Sequence, residues 1–126
     1  MKEFRRLTVW EKAHALTLAI YRATANFPKE ELYGITSQMR RCSASIAANI
    51  AEGCGRTGDG DFHRFLNIAA GSSFELENFL LLSRDLGLLT SQAQLELASD
   101  AREVQRMLAS LLRKVERSRT GTVANR

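Results

Sequence analysis

Residues 91–117 read SQAQLELASDAREVQRMLASLLRKVER. Within them Leu97, Ala101, Val104, Leu108, Leu111 and Val115 return at steps of four and three, which lines one flank of an α-helix with apolar side chains. Most residues between them are charged or polar, so the opposite flank is wet. Such a helix is stable in water chiefly when its dry flank lies against others of its kind. Ser91, with Gln94 three residues on, predicts a capping box at its start.

Three earlier segments carry the same beat. Val9, Ala13, Leu16, Ile20, Ala23 and Phe27 draw one stripe, and Thr8 with Glu11 forms a candidate capping box. Pro28 ends that segment, because it lacks an amide donor and disfavours helix at Phe27. A second stripe runs through Ile35, Met39, Cys42, Ile46, Ile50 and Gly53, with Thr36 or Ser37 able to cap it. Ser43, Ala44, Ser45, Ala47, Ala48 and Ala51 make this helix thin, so neighbours can approach it on more than one side. The third opens at Asp59 or Asp61, runs through Phe62, Leu66, Ala69, Ser73, Leu76 and Leu80, and stops at Gly87.

The predicted helices span about 8–27, 36–54, 59–86 and 91–117, joined by short connections, and no segment alternates with period two. The expectation is an all-α, antiparallel up-down-up-down four-helix bundle over residues 1–117, with a flexible tail over 118–126.

Bulk composition agrees with one soluble domain. The 126 residues are 44% hydrophobic and 25% charged, with a single proline, Pro28, to interrupt long helices. No apolar run approaches the roughly 18 residues a membrane span needs, and the basic N-terminus is followed by an amphipathic segment without a cleavage signal. Cys42 and Cys54 on one helix would stand about 18 Å apart, beyond disulfide reach. A cytoplasmic protein is therefore expected.

Charge is unevenly placed. Residues 1–101 hold 11 Lys and Arg against 12 Asp and Glu, whereas residues 102–126 hold 7 against 2. Arg102, Arg106, Arg113, Lys114, Arg117 and Arg119, with Arg126, supply the excess. A stripe of this kind can attract the phosphates of RNA or DNA. The bland reading is that cations at a helix C-terminus complement its dipole.

Several motifs fit by letter and fail by physics. Gly53-Cys-Gly-Arg-Thr-Gly58 matches a dinucleotide fingerprint, but that motif needs a preceding strand, and Asp59 and Asp61 would repel phosphate. Glu11-x-x-His14 lacks the second ligand pair of a di-iron bundle, because His63 has Gly60 three residues before it. Mid-helix Ser72 and Ser73 have no free backbone amides nearby to form an oxyanion hole. No catalytic, cofactor or metal site is therefore assigned, and no small-molecule substrate is expected. What remains is polar matter on apolar helices: Gln38, Arg40, Arg41, Asn49, Glu52 and Arg56 on the second, Arg64, Glu75 and Glu77 on the third. Such groups either stitch helices or subunits together or present an anion-binding face.

The run Gln38-Met-Arg-Arg-Cys-Ser-Ala-Ser-Ile-Ala-Ala-Asn-Ile-Ala-Glu-Gly53 resembles the signature of the four-helix-bundle family of 23S rRNA-intervening-sequence proteins. Leu7-Thr-Val-Trp-Glu-Lys-Ala13, Phe27-Pro28, Glu31-Leu-Tyr-Gly34, Arg64-Phe-Leu66, Glu75-Leu-Glu77 and Arg106-Met-Leu108 extend the likeness over about residues 4–112. Cys42, Cys54 and Gly58-Asp-Gly60 depart from it. The resemblance implies a bundle that assembles into a ring-shaped homo-oligomer, with the homopentamer as precedent, and it attaches no enzymatic activity or cofactor.

Two functions of different kinds follow as expectations. The first is a non-enzymatic homo-oligomer that contacts nucleic acid through the C-terminal basic stripe. The alternative is a protein-partner scaffold with no nucleic-acid role, anchored by exposed Trp10 or Tyr33.

Overall fold

The structure, a computed structural model, describes residues 2–124, with side chains described as far as Thr120. Four helices carry the fold: α1 (Thr8–Thr24), α2 (Ser37–Gly55), α3 (Asp59–Asp85) and α4 (Ser91–Ala124). Among the described residues there is no strand. The chain is an all-α four-helix bundle, as the periodicity predicts.

Residue pairings fix how the helices lie. Between α3 and α4, Asp59 meets Ser118, His63 meets Glu116, and Glu77 meets both Arg102 and Gln105. Partner numbers fall on one helix as they rise on the other, which is the pattern of antiparallel neighbours. Thr17 and Thr24 of α1 likewise meet Ser43 and Arg40 of α2, while Ser72 and Ser83 of α3 meet Ser45 and Met39. Helices α1 and α3 each pack along α2 and α4 and face one another across the diagonal of the bundle.

The core is built from the predicted stripes. Leu16, Ile20, Met39, Ile46, Ile50, Leu66, Leu76, Leu80 and Leu108 are each buried, and every such side chain contributes about 1.5–3 kcal/mol before chain entropy is subtracted. Phe27 leaves the helix yet still packs against this core.

Helix ends differ from expectation, for local reasons. Neither predicted capping box forms. Leu7, not Thr8, is the N-cap of α1, and it is extended and makes no side-chain cap. The turn at Phe4–Arg6 ends on Leu7, so Thr8 already lies inside the helix. On α4 the cap is Thr90, whose Oγ1 accepts the Ala93 N–H at 3.1 Å. Gln94 is drawn into the core at 2% exposure rather than reaching back to the helix start. Thr36 and Ser37 do not cap α2, because the chain enters it through a wide helical turn, Leu32–Thr36, that leaves Thr36 helical.

Helix α1 stops at Thr24 rather than 27: the Phe27 N–H closes a turn on the Thr24 carbonyl at 3.0 Å ahead of extended Pro28. Gly58, at φ +97°, starts α3, and Gly87, at φ +77°, ends the α3–α4 corner. There the N–H groups of Gly87 and Leu88 return to the carbonyls of Arg84 and Ser83 at 3.0 and 2.8 Å, a left-handed helix stop that favours glycine. Helix α4 continues to Ala124, past the expected end at 117, with Arg119 paired to Glu116 one turn back. Of the expected tail, residues 125 and 126, and so Arg126, lie outside the described residues.

Candidate functional site

Two surfaces hold the residues singled out by sequence. The first is the seam between α2 and α3. Small side chains let these helices close: a Cβ added to Gly53 would lie 3.0 Å from the Phe65 Cβ and 3.1 Å from the Phe62 ring. Farther along, the Ser45 and Ser72 hydroxyls share a hydrogen bond at 2.9 Å, and Asn49 donates to the Ser45 carbonyl at 2.8 Å and to its hydroxyl at 2.9 Å. Gln38, Arg41 and Glu75 come together with Cys42 and Ser45 around a polar groove. Burial, with Glu75 adding to it, pushes the Cys42 thiol up to about 12. Burial raises the Cys54 thiol as well. Both sulfurs therefore hold their protons more tightly than a free thiol does.

The other polar candidates stand outside that groove. Arg40 turns towards α1, donating to Thr24 Oγ1 at 2.9 Å with its guanidinium 4.7 Å from the Tyr21 ring centre. Arg56 pairs with Glu52 at 2.8 Å, and Arg64 approaches Asp61 at 3.5 Å; both arginines also lie over the Phe65 ring. Arg40 thus joins α2 to α1 and Arg56 reaches from the end of α2 to α3, whereas the contacts of Arg64 stay within α3.

The second surface is the outer flank of α4, and its cations divide. Arg102 pairs with Glu77 at 3.1 Å and Arg119 with Glu116 at 3.1 Å. Lys114 borders an apolar groove between α1 and α4, beside Leu7, Met107 and Leu111. Arg106, Arg113 and Arg117 are exposed and make no ion pair among the described residues. At 100° per residue the three point within about 40° of one another, directed away from buried Val104, Leu108 and Val115, over about 16 Å of helix.

Trp10 is not the exposed anchor expected. It is half-buried, edge-on to Phe4 at 5.1 Å and stacked on His14 at 4.8 Å. Tyr33, by contrast, is 94% exposed. Reading the stripes left a further set unplaced: Ile68, Phe74, Leu81 and Leu82 lie exposed on the outer side of α3. The available signal was an excess, since α3 carries more large apolar residues than one buried stripe can absorb.

The notable surfaces of this four-helix bundle are the small-residue seam between α2 and α3 and the cationic outer flank of α4. The chain belongs to the family of 23S rRNA-intervening sequence proteins, whose profile matches residues 5–110. Arg113, Lys114, Arg117 and Arg119 fall beyond the matched segment. The fold is also similar to the crystal structure of a protein of unknown function from the S23 ribosomal protein family of Bacteroides thetaiotaomicron. The two share 26% identity at a TM-score of 0.76, over 83% of this chain and 98% of the other. No curated protein matches the sequence. Among the described residues, no helix is long and apolar enough to cross a membrane.

Proposed function

We propose that this protein is a non-enzymatic, cytoplasmic homo-oligomer that binds RNA or DNA along the outer flank of α4. The observation that carries this is the alignment of Arg106, Arg113 and Arg117, three arginines on one exposed line with no carboxylate engaging them among the described residues. Arg102 and Arg119 are engaged by carboxylates, so these three, with Lys114 to one side, set the positive field of that flank. Oligomer formation is supported by the exposed apolar side chains of α3 and by the resemblance to ring-forming bundles, with a pentamer as the expected assembly.

The non-enzymatic part is supported by how the nucleophiles are occupied. Ser43 and Ser73 donate to carbonyls three residues back, at 3.0 and 2.6 Å, and Ser45 and Ser72 hold each other. Both cysteines are buried.

Fluorescence titration with labelled RNA and DNA tests the proposal. Binding is expected at about 50 mM salt and should weaken steeply by about 200 mM, because each phosphate neutralised releases counterions. Arg106→Ala, Arg113→Ala and Arg117→Ala together should flatten that salt slope by about 0.7–0.9 per contact removed. Absence of binding to either nucleic acid at low salt overturns the proposal. The scaffold alternative would then stand, favoured by Tyr33 as an exposed aromatic anchor.

A further inference from the structure

The turn that carries the chain from α1 into α2 builds a groove of its own. At Gly34, with φ −111° and ψ −118°, the backbone leaves helical geometry, and the two side chains before it stand outward. Tyr33 is 94% exposed and Leu32 45%. Tyr21, in the last turn of α1, is equally exposed at 45% and lines the same groove, a cavity of about 310 Å³.

The remaining wall is the start of α2. Thr36 and Ser37, its N-cap and first residue, line the groove, which therefore opens at the positive end of that helix dipole. Arg40 and Arg41 line it one turn farther in. Arg40 is held in place, donating to Thr24 Oγ1 with its guanidinium over the Tyr21 ring. Arg41 is exposed and makes no ion pair among the described residues. Thr36 is 3% exposed, and its hydroxyl has no hydrogen-bond partner among the described residues. A buried hydroxyl left unpaired costs stability, so a ligand that supplies its partner gains by doing so.

Carboxylates stand near the groove but do not line it. Glu30 and Glu31 are matched in number by Arg22 and Lys29, and none of the four borders the cavity. The Glu31 carboxylate lies beside Gly34 instead, with Oε2 3.2 Å from where a Cβ would stand. Glu75 borders the separate polar groove that Arg41 also touches, without pairing with it.

We infer that this groove binds a phosphorylated nucleoside, its base against Tyr21 and Tyr33 and its phosphate on Arg41 at the head of α2. Aromatic rings accept any base by its flat face, and a guanidinium fork matches phosphate oxygens. A bare phosphate has no use for the tyrosines, and a neutral aromatic has none for Arg41. The volume is at the small end of ligand sites, with room for one nucleotide rather than a stretch of strand. The ligand is either a free nucleoside monophosphate or one unpaired nucleotide of a strand. Helix α4 lies diagonally opposite α2, so this site and the α4 flank can fail independently.

Isothermal titration calorimetry with AMP and UMP tests the inference. Both should bind, and adenosine or inorganic phosphate alone should bind at least about tenfold more weakly, because each keeps only half of the contacts. Tyr33→Ala should weaken AMP binding roughly 5- to 150-fold, and Arg41→Ala about tenfold or more. Both positions are exposed, so circular dichroism should match the parent. Thr36→Val removes a hydroxyl that is unpartnered in the free protein, so it should weaken AMP binding without lowering the melting temperature. Replacing Arg106, Arg113 and Arg117 together by Ala should leave AMP binding unchanged.

A short single strand titrated into that triple variant separates the two sources. Competition by AMP assigns the site to free nucleotide; strand binding without AMP binding assigns it to a nucleotide within a strand, provided Tyr33→Ala abolishes it. No binding of either up to roughly 10 mM overturns the inference. So does an AMP affinity that neither Tyr33→Ala nor Arg41→Ala reduces.

Discussion

Helices α2 and α4 occupy equivalent places, each packed against both α1 and α3, yet they differ in the side chains around their large core residues. Helix α4 holds its neighbours chiefly with Leu97, Val104, Leu108 and Val115, buried alongside Ala98 and Ala101, and the opposite flank is cationic. Helix α2 does it partly with smallness. Ser43, Ala47, Gly53 and Cys54 are buried, and Ala44 and Ala48 are exposed, so both flanks are thin. Where side chains are large, apolar area drives the contact and geometry follows. Where they are small, backbones come close, and hydrogen bonds such as Ser45–Ser72 set the register. Two helices of one bundle can therefore differ in what a substitution disturbs.

Leu108→Asp should break the α4 side of that contrast most severely. Leu108 is fully buried, and an unpaired carboxylate there combines lost apolar burial with desolvated charge. The cost should exceed the roughly 5 kcal/mol at the lower end of domain stability, and the cooperative melt by circular dichroism should disappear. A folded Leu108→Asp protein would show that the stripe is misassigned.

Gly53→Val tests the α2 side. Its added atoms meet Phe65 and Phe62 at distances a backbone seam cannot relax cheaply, so a loss of about 1–3 kcal/mol is expected in urea denaturation. Exposed Ala48→Val, on the same helix but away from the core, should change stability by no more than about 0.5 kcal/mol. Equal effects at the two positions would remove the distinction between seam and surface.

Hydrogen bonding gives a finer measure. A double-mutant cycle on Ser45→Ala and Ser72→Ala should return a coupling of about 0.5–1.5 kcal/mol. The same cycle on the exposed Lys12–Glu103 pair, which ties α1 to α4 at 3.2 Å, should return about 0–1 kcal/mol and shrink with salt.

Alkaline pH should act on α2 as well. The folded Cys42 thiol holds its proton to about 12 from an ordinary 9.0, while the unfolded thiol releases it near the latter value. Above that pH the unfolded state binds fewer protons, so stability falls as pH rises. Cys42→Ala should lessen the fall in melting temperature between pH 9 and 11, measured against the parent.

How legible these features were depends on whether their cause is local. The four stripes could be read because a helix repeats its faces every three to four residues, whatever it packs against. Gly87 marked a helix end, and Pro28 a bound that α1 stops short of, because their limits on φ or on donors travel with the residue. Caps were read less well. Thr8, Thr36 and Ser91 have the right chemistry, but whether a hydroxyl can cap depends on where the preceding turn delivers the chain. The cationic stripe was visible as composition. Its division into engaged Arg102 and Arg119 and unengaged Arg106, Arg113 and Arg117 required carboxylates from α3 and α4 to be set beside them.

Sequence alone determined that this chain makes four amphipathic helices, because hydrophobic period and helical pitch are properties of each segment by itself. Tertiary structure decided the rest: that α1 and α3 face across a diagonal, that Trp10 turns inward while Tyr33 stands in solvent, and that α3 shows Phe74 and Leu82 outside the core. The physical reason is that burial and pairing are relations between segments distant in the chain. Periodicity gives each helix a dry flank, but the neighbours determine which of its remaining side chains find partners.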